Sequence, residues 1–185
     1  MLAGPTNPLL TLFCAAAAHA PLARKASAAA IESRFEWRTS LCSYFAWAVP
    51  TDAALAALAA LGPLLELGAG TGYWAALLAA RGADVAAYDA AGSHEGQWFR
   101  FRAQHVRDGG PEQAAAPEHA HRALLLCWPD IVGDSAADDA DRGSFGADCV
   151  AAFRGDVVAH IGELGPAVAR AKRGYGDVFP PGGAL

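Results

Sequence analysis

Short apolar runs and helical patterns alternate along the middle of the chain. Residues 64–67 and 123–128 are almost continuously apolar, which is typical of strands buried on both faces of a parallel sheet. Glu66 is the acidic exception within the first run. Weaker runs predict three further strands, at 84–88, 104–106 and 156–161. The apolar pattern therefore predicts a sheet of five strands.

The segments between these strands carry helix start and stop signals. Thr51 is predicted to cap a helix that ends at Gly62-Pro63, with leucines nearly on one face at positions 55, 58 and 61. A second helix is predicted over 73–81, ended by Gly82, and a short one over 149–153. Strands that alternate with helices predict an α/β fold, a Rossmann-like parallel sheet flanked by helices.

Length and composition favour one folded domain. The chain has 185 residues, of which 54% are hydrophobic, enough for one core and too few for two ordinary domains. We expect an Ala-rich arm over 1–30, helical or disordered, the α/β domain over 31–170, and an irregular Gly/Pro-rich tail over 171–185.

The charge pattern gives no strong nucleic-acid signal. The net charge is −5, and lysines and arginines are scattered, so tight nonspecific binding to nucleic acid is disfavoured. Five arginines are predicted to belong to a solvated face: Arg34, Arg38, Arg100, Arg102 and Arg107.

Cysteines, histidines and the acidic segment predict no metal site. The four cysteines lie far apart and are expected to be reduced and structural. His119 and His121 are predicted to be a surface loop pair. The aspartates of 130–148 predict a flexible acidic loop, because the Gly and terminal Glu of a calcium loop are missing.

The N-terminal apolar run is too short to cross a bilayer. It extends from Leu9 to Ala18, against the roughly 20 residues that a membrane helix needs, so we expect no membrane association. The predicted location is cytoplasmic. The Ala-His-Ala sequence at 18–20 and the basic pair at 24–25 leave a signal peptide or an organelle transit peptide as open alternatives.

A glycine-rich turn follows the first predicted strand. Gly68, Gly70 and Gly72 stand at alternate positions, where they let the backbone turn sharply and approach a ligand closely. Asp89 ends the next strand, 21 residues after Gly68, where a ribose diol would be held. The pattern predicts a nucleotide-type site lined by Glu66, Gly68, Ala69, Gly70, Gly72, Tyr73 and Asp89.

The spacing resembles motif I of class I S-adenosylmethionine-dependent methyltransferases. That motif is acidic-x-Gly-x-Gly-x-Gly, as in Glu66 to Gly72, whereas the dinucleotide fingerprint is Gly-x-Gly-x-x-Gly. Residues 44–50 and 124–129 look like those of a little-characterised methyltransferase-like group. The resemblance implies S-adenosylmethionine as cofactor, with Glu66 near its amino-acid end and Asp89 on its ribose hydroxyls.

The end of the fourth strand is where the resemblance places the methyl acceptor. Trp128, Pro129 and Asp130 stand where enzymes that methylate amino groups have an Asp/Asn-Pro-Pro-aromatic tetrapeptide. The difference leaves the target atom open and assigns no catalytic residue. The aromatic segment 31–47 is expected to flank or cover the site.

The expected function is methyl transfer to an unknown small-molecule or protein acceptor. Only 24 residues follow Ile161, so we expect a fold shortened relative to the seven-stranded methyltransferase sheet. Shortening would remove part of the acceptor platform, which keeps open a non-catalytic cofactor-binding or scaffold protein. A nicotinamide-dependent oxidoreductase is the third alternative, and the glycine spacing opposes it.

Overall fold

The computed structural model describes six stretches of the chain. They are residues 6–19, 36–38, 40–92, 99–100, 102–129 and 145–162.

Five parallel strands form one sheet. They are β1 Leu64–Leu67, β2 Val85–Asp89, β3 Val106–Asp108, β4 Ala123–Cys127 and β5 Val158–Ile161. Their order is β3-β2-β1-β4-β5, and every neighbouring pair is parallel. Helices flank the sheet, so the predicted α/β, Rossmann-like architecture is confirmed. The strand order reverses between β1 and β4, and ligands of open α/β sheets bind at the carboxyl ends of such strands.

Besides the helical residues 36–38 and 40–44, the described part of the chain contains four α-helices and two short 3₁₀ turns that join or precede the strands. The α-helices are α1 Pro8–His19, α2 Asp52–Ala59, α3 Tyr73–Ala79 and α4 Phe145–Ala152, and the 3₁₀ turns are Pro111–Ala115 and Pro117–His119. Thr51 caps α2 as predicted, because its hydroxyl accepts the N–H of Ala54 at 3.2 Å. Gly62 and Gly82 follow α2 and α3 with φ of 94° and 87°, which confirms both as helix terminators.

The core lies on both faces of the sheet. Leu64 and Leu125 pack with the leucines of α2 and with Trp74 and Leu77 of α3. The opposite face carries other buried side chains of β1, β2, β4 and α4, namely Leu65, Leu67, Tyr88, Leu124, Leu126 and Cys149. Side chains alternate between faces along a strand, so Glu66 lies on the same face as Leu64, beneath α3.

Several predicted boundaries move by one or more residues. Strand β2 begins at Val85, whose pairing with Leu64 is the first of its register with β1, and it runs on to Asp89. Asp84, just before it, pairs with Arg122 at 3.0 Å. The third strand begins at Val106 instead of ending there, since the preceding residues form a turn closed by Val106 N–H and Ala103 O at 3.0 Å. Leu61 follows the end of α2 and is exposed, so it is not part of the buried face.

The last two elements are also displaced from their predicted bounds. Helix α4 begins at Phe145, inside the predicted acidic loop, and buries Gly146 and Cys149. Residues 130–144 of that loop lie outside the described residues. The fifth strand is Val158–Ile161, shorter than predicted, and β4 ends at Cys127 instead of residue 128.

The N-terminal residues pack against the domain. Leu9 of α1 is fully buried, and the Asn7 amide donates to Pro50 O at 2.7 Å. Tyr73 donates its hydroxyl to Asn7 Oδ1 at 2.9 Å and accepts the N–H of Leu9 at 3.2 Å. Part of the predicted arm is therefore helical. Within the described residues, no helix has the length and apolar character needed to cross a membrane.

His119 corrects the prediction of a surface histidine pair. Its side chain is buried, whereas His121 is exposed. Its Nε2 lies 3.0 Å from the hydroxyl of Tyr88, and burial is the main cause that lowers the pKa of His119. The pair is therefore split, with one histidine in the core and one in solvent.

Candidate functional site

Three glycines with positive φ form the turn between β1 and α3. Gly68, Gly70 and Gly72 have φ of 72°, 57° and 81°, in the left-handed region that favours glycine. Gly72 is the N-cap of α3 and supplies no capping side chain. The Ala69 N–H donates to Tyr88 O at 3.0 Å, which joins the turn to the end of β2. We call residues 68–72 the glycine turn.

Asp89 fixes the glycine turn from the end of β2. Its Oδ2 accepts the N–H of Gly70 at 2.5 Å, and its Oδ1 accepts the N–H of Ala90 at 2.7 Å. The residue is only 8% exposed. Each carboxylate oxygen has a further lone pair, so Asp89 can still accept hydrogen bonds from a ligand. The structure thus brings Asp89 to the turn, as predicted, with a structural role that the sequence did not indicate.

Glu66 is a buried carboxyl with one unpartnered oxygen. Its residue is 1% exposed, and Oε2 has no hydrogen-bond partner within the part of the chain that the structure describes. Ala75, in the first turn of α3, gives it a backbone hydrogen bond. Burial, and then the negative charge of Asp89, raise the pKa of Glu66 from 4.5 to about 8, against a lowering by the Ala75 bond. At pH 7 the carboxyl is therefore predominantly neutral and holds a proton that a cationic ligand could displace.

Aromatic rings cover two of the three glycines. A Cβ on Gly70 would lie 2.6 Å from Cζ of Phe99, and one on Gly68 would lie 3.1 Å from Cε1 of Phe145. At Gly72 the neighbours are Val106 and His105, and His105 Nε2 lies 3.1 Å from Gly72 O. The space above Gly70 is thus filled by a side chain of the protein itself.

The Phe99 segment, residues 99–100 and 102–103, is tied down on both sides. Arg100 N–H donates to Ser43 O at 2.9 Å, and Ala103 N–H donates to Thr71 O at 3.0 Å. Arg102 pairs with Asp108 at 2.7 Å. These bonds hold Phe99 over the glycine turn.

A second segment, residues 40–48, lies against the same turn. Its residues 40–44 are helical. The hydroxyl of Thr71 donates to Phe45 O, and the indole N–H of Trp74 donates to Ala48 O at 3.2 Å. The structure therefore places the described part of the predicted flanking segment beside the glycine turn.

Trp128 stands at the end of β4 with a strained backbone. Its φ is 49°, uncommon for a residue other than glycine, and its N–H donates to Ile161 O at 2.7 Å. Cζ of Arg38 lies 5.4 Å from the centroid of the Trp128 ring and 5.8 Å from that of the Trp47 ring. Arg38 is half-buried. Arg38 therefore does not belong to the solvated face predicted for it. Pro129 follows, half-buried, and Asp130 lies outside the described residues.

The predicted site residues divide into three groups. The structure brings Glu66, Asp89 and the glycine turn, including Ala69, together at the carboxyl ends of β1 and β2. Trp128 and Pro129 follow the adjacent strand β4. The hydroxyl of Tyr73 instead faces the N-terminal segment, and its ring packs edge-on against Phe45.

The sequence pattern does not predict the contacts of Phe99 and Phe145, and it predicts Arg38, although within the flanking segment 31–47, to lie on a solvated face. Phe99 and Phe145 lie in segments without a clear periodic pattern, so no signal pointed to them. Arg38 precedes an aromatic cluster, and that proximity is the signal that could have found it.

Metal binding and known relatives offer no further assignment. Across the part of the chain that the structure describes, no group of three or more His, Cys, Asp or Glu could hold a metal ion. No protein-family model, curated protein or solved structure matches the chain.

Proposed function

We propose that the protein binds S-adenosylmethionine at the glycine turn and transfers its methyl group to a small-molecule or protein acceptor. The observation that carries the proposal is the buried Glu66 carboxyl, which stands two residues before the turn of left-handed glycines and whose Oε2 has no hydrogen-bond partner among the described residues. A buried polar atom without a partner is costly and is rarely left so in a folded protein unless a ligand or water satisfies it.

The residues at the turn fit this cofactor chemically. Glu66 would accept the ammonium of the amino-acid end, giving up its proton, and the free lone pairs of Asp89 would accept the ribose hydroxyls. Gly70 leaves room for close backbone approach once the ring of Phe99 moves aside. Two carboxyl groups suit a cofactor that carries no phosphate better than they suit a pyrophosphate.

The bound cofactor supplies an electrophilic methyl group on a sulfonium. The chain's part is to position the acceptor and exclude water, which raises rates without a dedicated nucleophile. We assign the acceptor side to Trp128, Pro129 and Asp130, since β4 ends beside β1 at the reversal of strand order. The Cys127 thiol stays protonated there, because burial, and then the charge of Glu66, raise its pKa.

Calorimetric titration with S-adenosylhomocysteine and with NAD tests the proposal. We expect saturable binding of S-adenosylhomocysteine and none of NAD. Binding of NAD alone would contradict the proposal and favour an oxidoreductase. Binding of neither would leave the glycine turn as part of the scaffold.

A non-catalytic scaffold is the second candidate, and the packing of Phe99 on Gly70 favours it. A turn that receives an aromatic side chain needs glycine for packing alone. The two candidates differ in what happens when this ring is removed.

We predict that Phe99→Ala increases the affinity for S-adenosylhomocysteine about fivefold, because binding no longer has to displace the ring. Asp108→Asn, which breaks the ion pair that holds the Phe99 segment, should act in the same direction and more weakly. The matched control is Asp84→Asn, since both aspartates are similarly exposed partners of half-buried arginines. Calorimetry measures affinity, and thermal unfolding measures stability. A Phe99→Ala variant that loses stability without binding more tightly would favour the scaffold.

A further inference from the structure

Arg38 is a half-buried cation, and it takes part in none of the ion pairs between described residues. Those pairs join Arg81, Arg102 and Arg122 to aspartates. Arg38 instead lies over two indole rings, with Nη2 donating to Trp47 O at 3.1 Å. A guanidinium has five N–H donors in a planar fork, and within the described residues this one bond leaves most of them for another acceptor.

The position of Arg38 is tied to the glycine turn. Its ring contact, Trp128, comes directly after Cys127, the last residue of β4, and β4 pairs with β1 so that Leu125 lies opposite Glu66. The chain that follows Arg38 is bonded to the turn through Phe45 O and Thr71. Arg38 therefore lies at the carboxyl end of β4, and the buried carboxyl of Glu66 belongs to the neighbouring strand β1, opposite Leu125 of β4.

We infer that Arg38 binds the carboxylate of a ligand held in the crevice between β1 and β4, with Trp128 keeping its guanidinium in place. The inference rests on the proposed function. The amino-acid end of S-adenosylmethionine carries an ammonium and a carboxylate, and Glu66 can bind only the ammonium. Arg38 supplies the complementary charge, and its planar fork matches the two oxygens of a carboxylate. An acidic acceptor is the other source of the same chemical group.

The first arm of the test compares two ligands that differ at the amino-acid end. S-adenosylhomocysteine has the carboxylate, and 5′-methylthioadenosine lacks it. We expect Arg38→Gln to weaken S-adenosylhomocysteine about tenfold or more while 5′-methylthioadenosine binds as it does to the wild type. The affinity of Arg38→Lys for S-adenosylhomocysteine should lie between those of the wild type and Arg38→Gln, because lysine keeps the charge and loses the planar fork of donors. Arg81→Gln, which removes an arginine paired with Asp52 elsewhere, is the control.

The second arm titrates benzoate, with and without S-adenosylhomocysteine, and follows tryptophan fluorescence. A saturable response that requires Arg38 and persists when S-adenosylhomocysteine is bound would assign the carboxylate to the acceptor. Equal loss of both adenosine ligands in Arg38→Gln, with no benzoate response that depends on Arg38, would overturn the inference and leave Arg38 a packing residue. If the wild type binds neither adenosine ligand, the proposed function fails, and benzoate alone still decides whether Arg38 binds a carboxylate.

Discussion

Gly70→Ala should abolish binding of S-adenosylhomocysteine, with the Kd raised beyond about a hundredfold, while the protein stays folded. An added Cβ would lie 2.6 Å from Cζ of Phe99, and it would take up the space through which a ligand approaches the turn. The left-handed φ of +57° adds strain of roughly 1–2 kcal/mol for any residue with a Cβ. Calorimetry gives the affinity, and urea unfolding gives the loss of stability.

Gly82→Ala provides the matched control for this change. Gly82 has a φ of +87°, and no atom of the described residues lies within 4 Å of the Cβ that alanine would add there. It should therefore lose stability through backbone strain without losing affinity. If Gly70→Ala binds S-adenosylhomocysteine as tightly as Gly82→Ala does, the glycine turn is not the binding site.

The centre of the sheet was predictable because its signals are local. β1 and β4 are apolar at nearly every position, which buried parallel strands require, and Thr51, Gly62 and Gly82 mark helix ends through their own backbone chemistry. The edge strand β3 is different. Only Val106 of its three residues is buried, so its apolar signal was too weak to fix the bounds.

Contacts between distant residues were not predictable from local pattern. His119 is buried because it meets Tyr88, 31 residues away in sequence. The ring of Phe99 lies on Gly70 because backbone bonds to Ser43 and Thr71 hold its segment there. Neither position shows a periodic or capping signal, so the sequence predicts a surface position for His119 and no contact for Phe99.

The backbone of the candidate site was predictable from the sequence, but the side chains that cover it were not. Alternate glycines after a strand and an acid after the next strand are a sequence pattern, and the structure brings Gly70 and Asp89 into direct contact. Whether the turn is open to a ligand depends on side chains from elsewhere, here Phe99 and Phe145. The sequence also could not show that Glu66 lacks a partner for Oε2.

Glu66→Gln should remove a large pH dependence of stability. The pKa of Glu66 is 4.5 in the unfolded chain and about 8 in the folded protein, so the folded state binds more protons between these values. Stability from this carboxyl is fully present below pH 4.5 and is lost as the pH rises through 8. Between pH 5 and 9 the free energy of unfolding of the wild type should fall by on the order of 4 kcal/mol more than that of Glu66→Gln. This is a large part of a domain's stability.

Urea unfolding of both proteins across this pH range measures the effect as the difference between two curves, which cancels titrations that the proteins share. Glu36→Gln, at an exposed glutamate, should reproduce the wild-type curve. Parallel curves for the wild type and Glu66→Gln would show that the buried carboxyl ionises as easily as an exposed one. Added S-adenosylhomocysteine should flatten the wild-type curve, because its ammonium stabilises the ionised form of Glu66 and so reduces the loss at high pH.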